Sequence, residues 1–298
     1  MPTFNSLILI APSLIAMAWL VSKVQWYWNH RPDLQFGWGV LVICAYLLWM
    51  EWPSRPELRP RWTPLNGIVA LAGCALLFLT QIYQAAFGMM PASLIGLAAG
   101  VMLVVLANLH YAFGWAGVRH FAFAYGFILI ALPMPSAIHG LVINGLQSKI
   151  TVLNVVFLNL IGIPAQQTGS LIQLPLCTVG IDEACSGIRS LQASLMVALF
   201  VGYLKLRSYG LRALLLGLGV GLSILGNLIR SLFLSIQAHH HGTEAIEAYH
   251  DAAGWSILVF TFAGVALMAW FLTAVDRRIQ ALKTTKPENA TNDLAPCT

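Results

Sequence analysis

Three residues in the second half of the chain carry side chains that could run acyl transfer between them: Cys185 in GIDEACSGIRS, Arg230 in GNLIRSLFLS and His250 in YHDAAGW. A thiol at a helix N-terminus has a lowered pKa and becomes a nucleophile. A guanidinium balances a developing oxyanion, and imidazole exchanges protons near neutrality. Cys185 stands where a polar segment turns into a long apolar run, with Ser186 and Gly187 permitting a tight helix start and Arg189 one turn on. Arg230 interrupts an apolar run, where an arginine costs about 2.5–3.5 kcal/mol and marks function by default. Asn227 lies three residues earlier on the same helix face, so the pair can present donors to one bound group. Asp251 adjoins His250 and joins Asn227, Ser186 and Arg189 as supporting, substrate-binding candidates.

Each residue also has a plainer reading: a buried inert thiol, an arginine snorkelling to the interface, an interfacial histidine. His239, His240, His241, Glu244 and Glu247 in HHHGTEAIEAYH resemble a metal site only loosely, because ligands on a helix need a spacing such as HExxH. Neither a metal nor another cofactor is expected. Cys44, Cys74, Cys177, Cys185 and Cys297 form no CxxC pair; Cys44 and Cys74 lie in apolar runs, where a thiol behaves as a small hydrophobe.

The elements that would hold these residues lie in lipid. The 298 residues are 58% hydrophobic and 9% charged, with a mean hydropathy of +0.76, well below the roughly 25% charge of a soluble domain. The net charge of +5 is scattered among short loops, so no basic face exists for nucleic acid. The expected fold is an all-α integral membrane protein of about eight spans, at about 5–22, 36–51, 65–87, 92–109, 120–140, 186–204, 211–236 and 252–275. The first run, from about Leu7 to Leu20, lacks a basic n-region and reads as a retained span. Residues 1–282 form one polytopic domain in this reading, and 283–298 a disordered cytoplasmic tail.

Basic residues are retained on the cytoplasmic side. Arg55, Arg59, Arg61, Arg119, Lys205, Arg207, Arg212, Arg277, Arg278, Lys283 and Lys286 share one side, against Lys23, Arg31, Lys149, Arg189 and Arg230. Both termini are then cytoplasmic, and Cys185, Arg230 and His250 all come to the outer face. Pro133 and Pro135 end the fifth span. Leu146, Ile150, Leu153, Val156, Phe157 and Leu160, beside Gln147, Lys149 and Asn154, predict an external amphipathic helix lying on the membrane. From Thr168 to Ile181 a short hairpin or extended stretch leads into Cys185.

EACSGIRSL, NLIRSLFLS and HDAAGW, in this order on spans six to eight, resemble the exosortase/archaeosortase family of integral membrane cysteine transpeptidases. The likeness covers a motif-bearing core of about 90–275. It implies Cys185 as nucleophile, Arg230 as transition-state stabiliser and His250 as general acid/base. The implied partners are membrane lipid and exported proteins ending in a sorting signal: a short Pro-Glu-Pro-like motif, a transmembrane helix and a basic cluster. The implied setting is a bacterial inner membrane, often alongside exopolysaccharide synthesis.

Two rival classes remain open on sequence. Arg230, Asn227 and Asn108 within apolar spans would also line the path of a transporter or export component, although no two-fold repeat is visible. Asp182 and Glu183 beside Cys185 raise a glutamate- or metal-dependent intramembrane protease, but the register of DEACSGIR differs from what such enzymes need.

Overall fold

The computed structural model describes residues 4–180 and 188–284; Cys185, Ser186 and the tail from residue 285 lie outside the described residues. The helices in chain order are α1 (Phe4–His30), α2 (Gly37–Glu51), α3 (Pro64–Phe87), α4 (Pro91–Gly126), α5 (Ser136–Leu160), α6 (Ile188–Lys205), α7 (Tyr209–His241) and α8 (Glu244–Thr284). Three strands, β1 (Gln166–Thr168), β2 (Leu171–Gln173) and β3 (Thr178–Gly180), lie between α5 and α6. The chain divides into two compact units, 1–142 and 143–298.

Six helical stretches among the described residues are long and apolar enough to cross a membrane: Ile8–His30, Pro32–Glu51, Pro64–Phe87, Pro91–Ala131, Tyr209–His241 and Ile246–Leu282. This is an all-α multi-pass membrane architecture, with six such stretches where the sequence predicts eight. Part of the difference is that the predicted fourth and fifth spans fall along one element. α4 continues past Gly114, whose φ of 67° and ψ of −165° redirect it, and then runs into a 3-10 turn at Phe127–Ala131. That backbone region is essentially restricted to glycine.

A break of this kind frees helical carbonyls, which in lipid need donors. The loop after α2 supplies them. Arg61 N–H donates to Tyr111 O and Arg59 N–H to Ala112 O, each at 3.0 Å. Asn66 holds the loop from the other side, donating its amide to Arg61 O at 2.9 Å while its Oδ1 meets His110 Nδ1.

In the first unit α4 packs on α1, α2 and α3. Gly73 on α3 and Gly100 on α4 let these two helices approach closely: a Cβ at Gly73 would come within 3.1 Å of Gly100 O. Trp28, buried on α1, donates its indole N–H to Ala131 O at 2.9 Å. Asn108 accepts from Ser13 at 2.6 Å and donates to Leu9 O at 2.9 Å, so this polar residue ties α4 to α1.

The second unit builds two adjoining cores. In one, Ala198 and Leu206 meet Leu215 of α7 and Val265, Ala269 and Leu272 of α8. In the other, Ile150 and Leu158 of α5, Ile172 and Val179 of the strands, and Leu234 and Ala238 of α7 pack together. The predicted hairpin is present as an antiparallel three-stranded meander, in register Thr168↔Leu171 and Ile172↔Val179. Its first turn uses Gly169 at φ +64°, as a two-residue hairpin loop requires.

The predicted amphipathic helix is present as α5, with part of its polar side covered by the protein. Gln147, Thr151 and Asn154 are buried, while Leu153, Val156, Phe157 and Leu160 are exposed. The physical reason is a partner far along the chain. Asn154 donates its amide to Ser231 Oγ on α7 at 2.5 Å, and Thr151 returns its hydroxyl to Gln147 O at 2.8 Å.

Candidate active site

α7 and α8 form an antiparallel pair whose turn is written into the sequence. His239, His240 and His241 occupy the last turn of α7, where cations complement the helix dipole. Gly242 at φ 77° then caps the helix, donating to Ala238 O at 3.0 Å. Glu244 and Glu247 occupy the first turn of α8, where acidic residues are favoured. This capping places the imidazole and carboxylate side chains at the two helix ends that favour them. Among the described residues no group of three or more His, Cys, Asp or Glu side chains is placed to hold a metal ion.

The hairpin brings Arg230 against His250. Arg230 Nη2 meets His250 Nε2 at 3.0 Å and donates to the His250 carbonyl oxygen at 3.2 Å. Gly254, one turn further along α8, lies beneath the guanidinium: a Cβ there would meet Nη2 at 3.5 Å, in ordinary contact. Both residues are half-buried. Asn227, one turn before Arg230, is 2% exposed and belongs to the interior file of α7 with Ser223, Ser231 and Ser235. Ser223 pairs with Ser190 of α6 at 3.0 Å and Ser231 with Asn154 of α5, so both neighbours of the Asn227 turn are anchored.

A groove of about 310 Å³ opens between α7 and α8 along Ile229, Arg230, Phe233, Tyr249, Ala252 and Ser256. Phe233 and Tyr249 close one end edge to face, with ring centroids 5.9 Å apart. The remaining described walls are apolar or small, so among the described residues Arg230 is the one charged group lining this groove.

Of the residues predicted from sequence, the structure brings Arg230 and His250 into contact and puts Asn227 one turn away in the interior. Arg189 and Asp251 are exposed and take no part in that contact. Cys185 and Ser186 lie outside the described residues. Sequence reasoning did not single out Ser231, Gly254, Phe233 or Tyr249. Only the serine's four-residue spacing to Asn227 offered a signal, since Ser223, Asn227, Ser231 and Ser235 recur on one helix face.

Cys177, after β2, donates its thiol to Ala238 O at 3.5 Å, and burial pushes its pKa up. That is the environment of a structural thiol.

No curated protein and no solved structure matches the chain. The family model described as transmembrane exosortase matches residues 28–269, a stretch that includes Cys185, Arg230 and His250 and most of the membrane-spanning helices. By this match the chain, with its multi-pass architecture and its Arg230–His250 pair, belongs to the transmembrane exosortase family.

Proposed function

We propose that the protein is a membrane-embedded cysteine transpeptidase or protease acting on the C-terminal sorting signals of exported proteins. The Arg230–His250 contact is the observation that carries this reading, because it joins the two helpers such chemistry needs from separate motifs. Cys185 is the nucleophile. Its thiolate attacks the carbonyl next to the substrate's membrane helix, Arg230 balances the oxyanion, and His250 protonates the departing amine. A thioester holds the released protein until an amine or water resolves it. Asn227, Ser186, Arg189 and Asp251 are supporting residues.

The site faces outward from a bacterial inner membrane, with both termini cytoplasmic. Exposed aromatic residues support its placement at an interface: Tyr249 and Trp255 flank the pair on α8, and Trp270, equally exposed, lies about 22 Å further along at 1.5 Å per residue. The α7–α8 groove gives the substrate's helix a lateral approach to Arg230. The transporter reading loses one support, since the Asn108 amide is engaged by Ser13 and Leu9 rather than lining a path.

The deciding experiment co-expresses Cys185→Ala with a tagged protein carrying a short motif, one span and a basic end. Loss of processing is expected. Wild-type processing by the variant would end the proposal.

A further inference from the structure

The contact between Arg230 Nη2 and His250 Nε2 constrains where a proton sits. A guanidinium carries only N–H donors and stays charged at any accessible pH, so the imidazole nitrogen facing it must present a lone pair. His250 is therefore neutral and protonated on Nδ1 while the contact lasts. The other proton of Nη2 is directed to the His250 carbonyl oxygen at 3.2 Å, so this nitrogen is engaged twice by one residue. The guanidinium rests over Gly254, where a Cβ would just reach van der Waals contact and any larger side chain would meet Nη2.

We propose, on the reading that Cys185 is the nucleophile, that Arg230 is also the positioning residue of His250. In the resting site it fixes the Nδ1–H tautomer and occupies Nε2, and it surrenders Nε2 when the substrate's scissile carbonyl oxygen takes over a guanidinium N–H. One residue thus couples substrate arrival to the appearance of the general base. Before arrival, a thiolate–imidazolium pair through Nε2 is disfavoured, because the imidazolium would put a second cation beside the guanidinium.

The step balances. Once the substrate has arrived, Nε2 takes the proton of the Cys185 thiol, and the thiolate so formed bonds to the carbonyl carbon while the carbonyl π pair moves to oxygen, which accepts from Arg230. Collapse re-forms the C=O bond, breaks the C–N bond and delivers the Nε2 proton to the amine nitrogen. The products are a thioester and a free amine. The imidazole is again neutral, with its Nε2 lone pair restored to Arg230, and no oxidant or reductant is consumed.

The test is the 15N spectrum of histidine-labelled full-length protein in lipid nanodiscs, with His250→Gln identifying the His250 signals. The expected wild-type spectrum has an unprotonated Nε2 and a protonated Nδ1, retained in Arg230→Lys and shifted toward Nε2–H in Arg230→Ala. A protonated Nε2 in the wild type overturns the proposal without recourse to any variant at Arg230.

The coupling is read separately by iodoacetamide labelling of Cys185 without substrate, followed by peptide mass spectrometry. Arg230→Ala should label faster, by about threefold for each unit by which the thiol pKa falls, because the thiolate fraction grows while its nucleophilicity declines. An equal or slower rate overturns the coupling. Because the tautomer is read from the histidine spectrum and the nucleophile from processing by Cys185→Ala, a failed tautomer assignment and a failed nucleophile assignment are distinct results.

Discussion

Asn154 on α5 and Ser231 on α7, 77 residues apart, are joined by a buried hydrogen bond of 2.5 Å immediately beside Arg230 in sequence. Ser231 in turn donates to Leu228 O at 3.1 Å, and Ser235 donates to Ser231 O at 2.8 Å, so the anchor continues along α7. A bond between helices in a membrane contributes about 0.6 kcal/mol on average and up to about 1.7 kcal/mol. Ser231→Ala should therefore lower unfolding free energy within that range in bicelles, with Asn154→Ala costing more for the volume it removes. A double-mutant cycle returning additive losses would show that the contact contributes nothing.

Gly114→Ala tests the break in α4. A Cβ at Gly114 would meet no atom within 4 Å, so any penalty is purely one of backbone conformation. That penalty is about 1–3 kcal/mol for a non-glycine residue in this region. Gly221→Ala, equally uncrowded but inside α7 without a positive φ, serves as the control and should be neutral or slightly stabilising. Equal thermal stability of the two variants would remove the argument for a forced turn at Gly114.

The contrast between these sites shows what the sequence could reveal. The strand meander was legible because GSLIQLPLCTVGI is rich in Leu, Ile and Val with turn residues inside, a local signal. The break at Gly114 was not, since one glycine in an apolar run looks like any other, and its carbonyls are satisfied by Arg59 and Arg61, half a hundred residues upstream. α5 shows the same limit: that Asn154 is covered depends on Ser231 of α7, a partner no local pattern names. Arg230 and His250 were legible as a pair because two apolar runs joined by a capped turn must fold back on each other. Their atom-to-atom relation, Nη2 to Nε2 and to the carbonyl oxygen of one residue, follows from side-chain rotamers that no sequence pattern encodes.

Thiol chemistry separates Cys177 from Cys185. Burial raises the Cys177 pKa, so at any given pH it holds less thiolate than a free cysteine, and its alkylation should rise only at higher pH. Peptide-resolved labelling across a pH series should show Cys185 reacting at lower pH than Cys177. The reverse order would argue that Cys185 lacks the activation a nucleophile needs.

Reporter fusions test the sidedness on which the outward-facing site depends. The Gly169–Ser170 turn and the segment following Lys205 flank α6, whose 18 residues extend about 27 Å at 1.5 Å per residue. A reporter active only outside the cytoplasm should work in the turn and fail after Lys205. Activity at both places would remove α6 as a span, and activity only after Lys205 would invert the topology.

The groove between α7 and α8 can be blocked without touching the guanidinium. Ala252 is exposed on the groove wall, so Ala252→Phe adds bulk where a substrate helix would approach and leaves both cores of the second unit intact. Gly254→Val acts differently, because its methyl groups extend beyond a Cβ already 3.5 Å from Nη2 and displace Arg230 itself. Loss of one oxyanion donor costs about 2.7–4 kcal/mol, a rate reduction on the order of 10²–10³. Gly254→Val should therefore lower the rate of processing at saturating substrate, whereas Ala252→Phe should chiefly raise the substrate level needed. Unaltered processing by Ala252→Phe would mean that the substrate reaches Arg230 by another route, since a phenyl ring in a groove of about 310 Å³ leaves little space for a second helix.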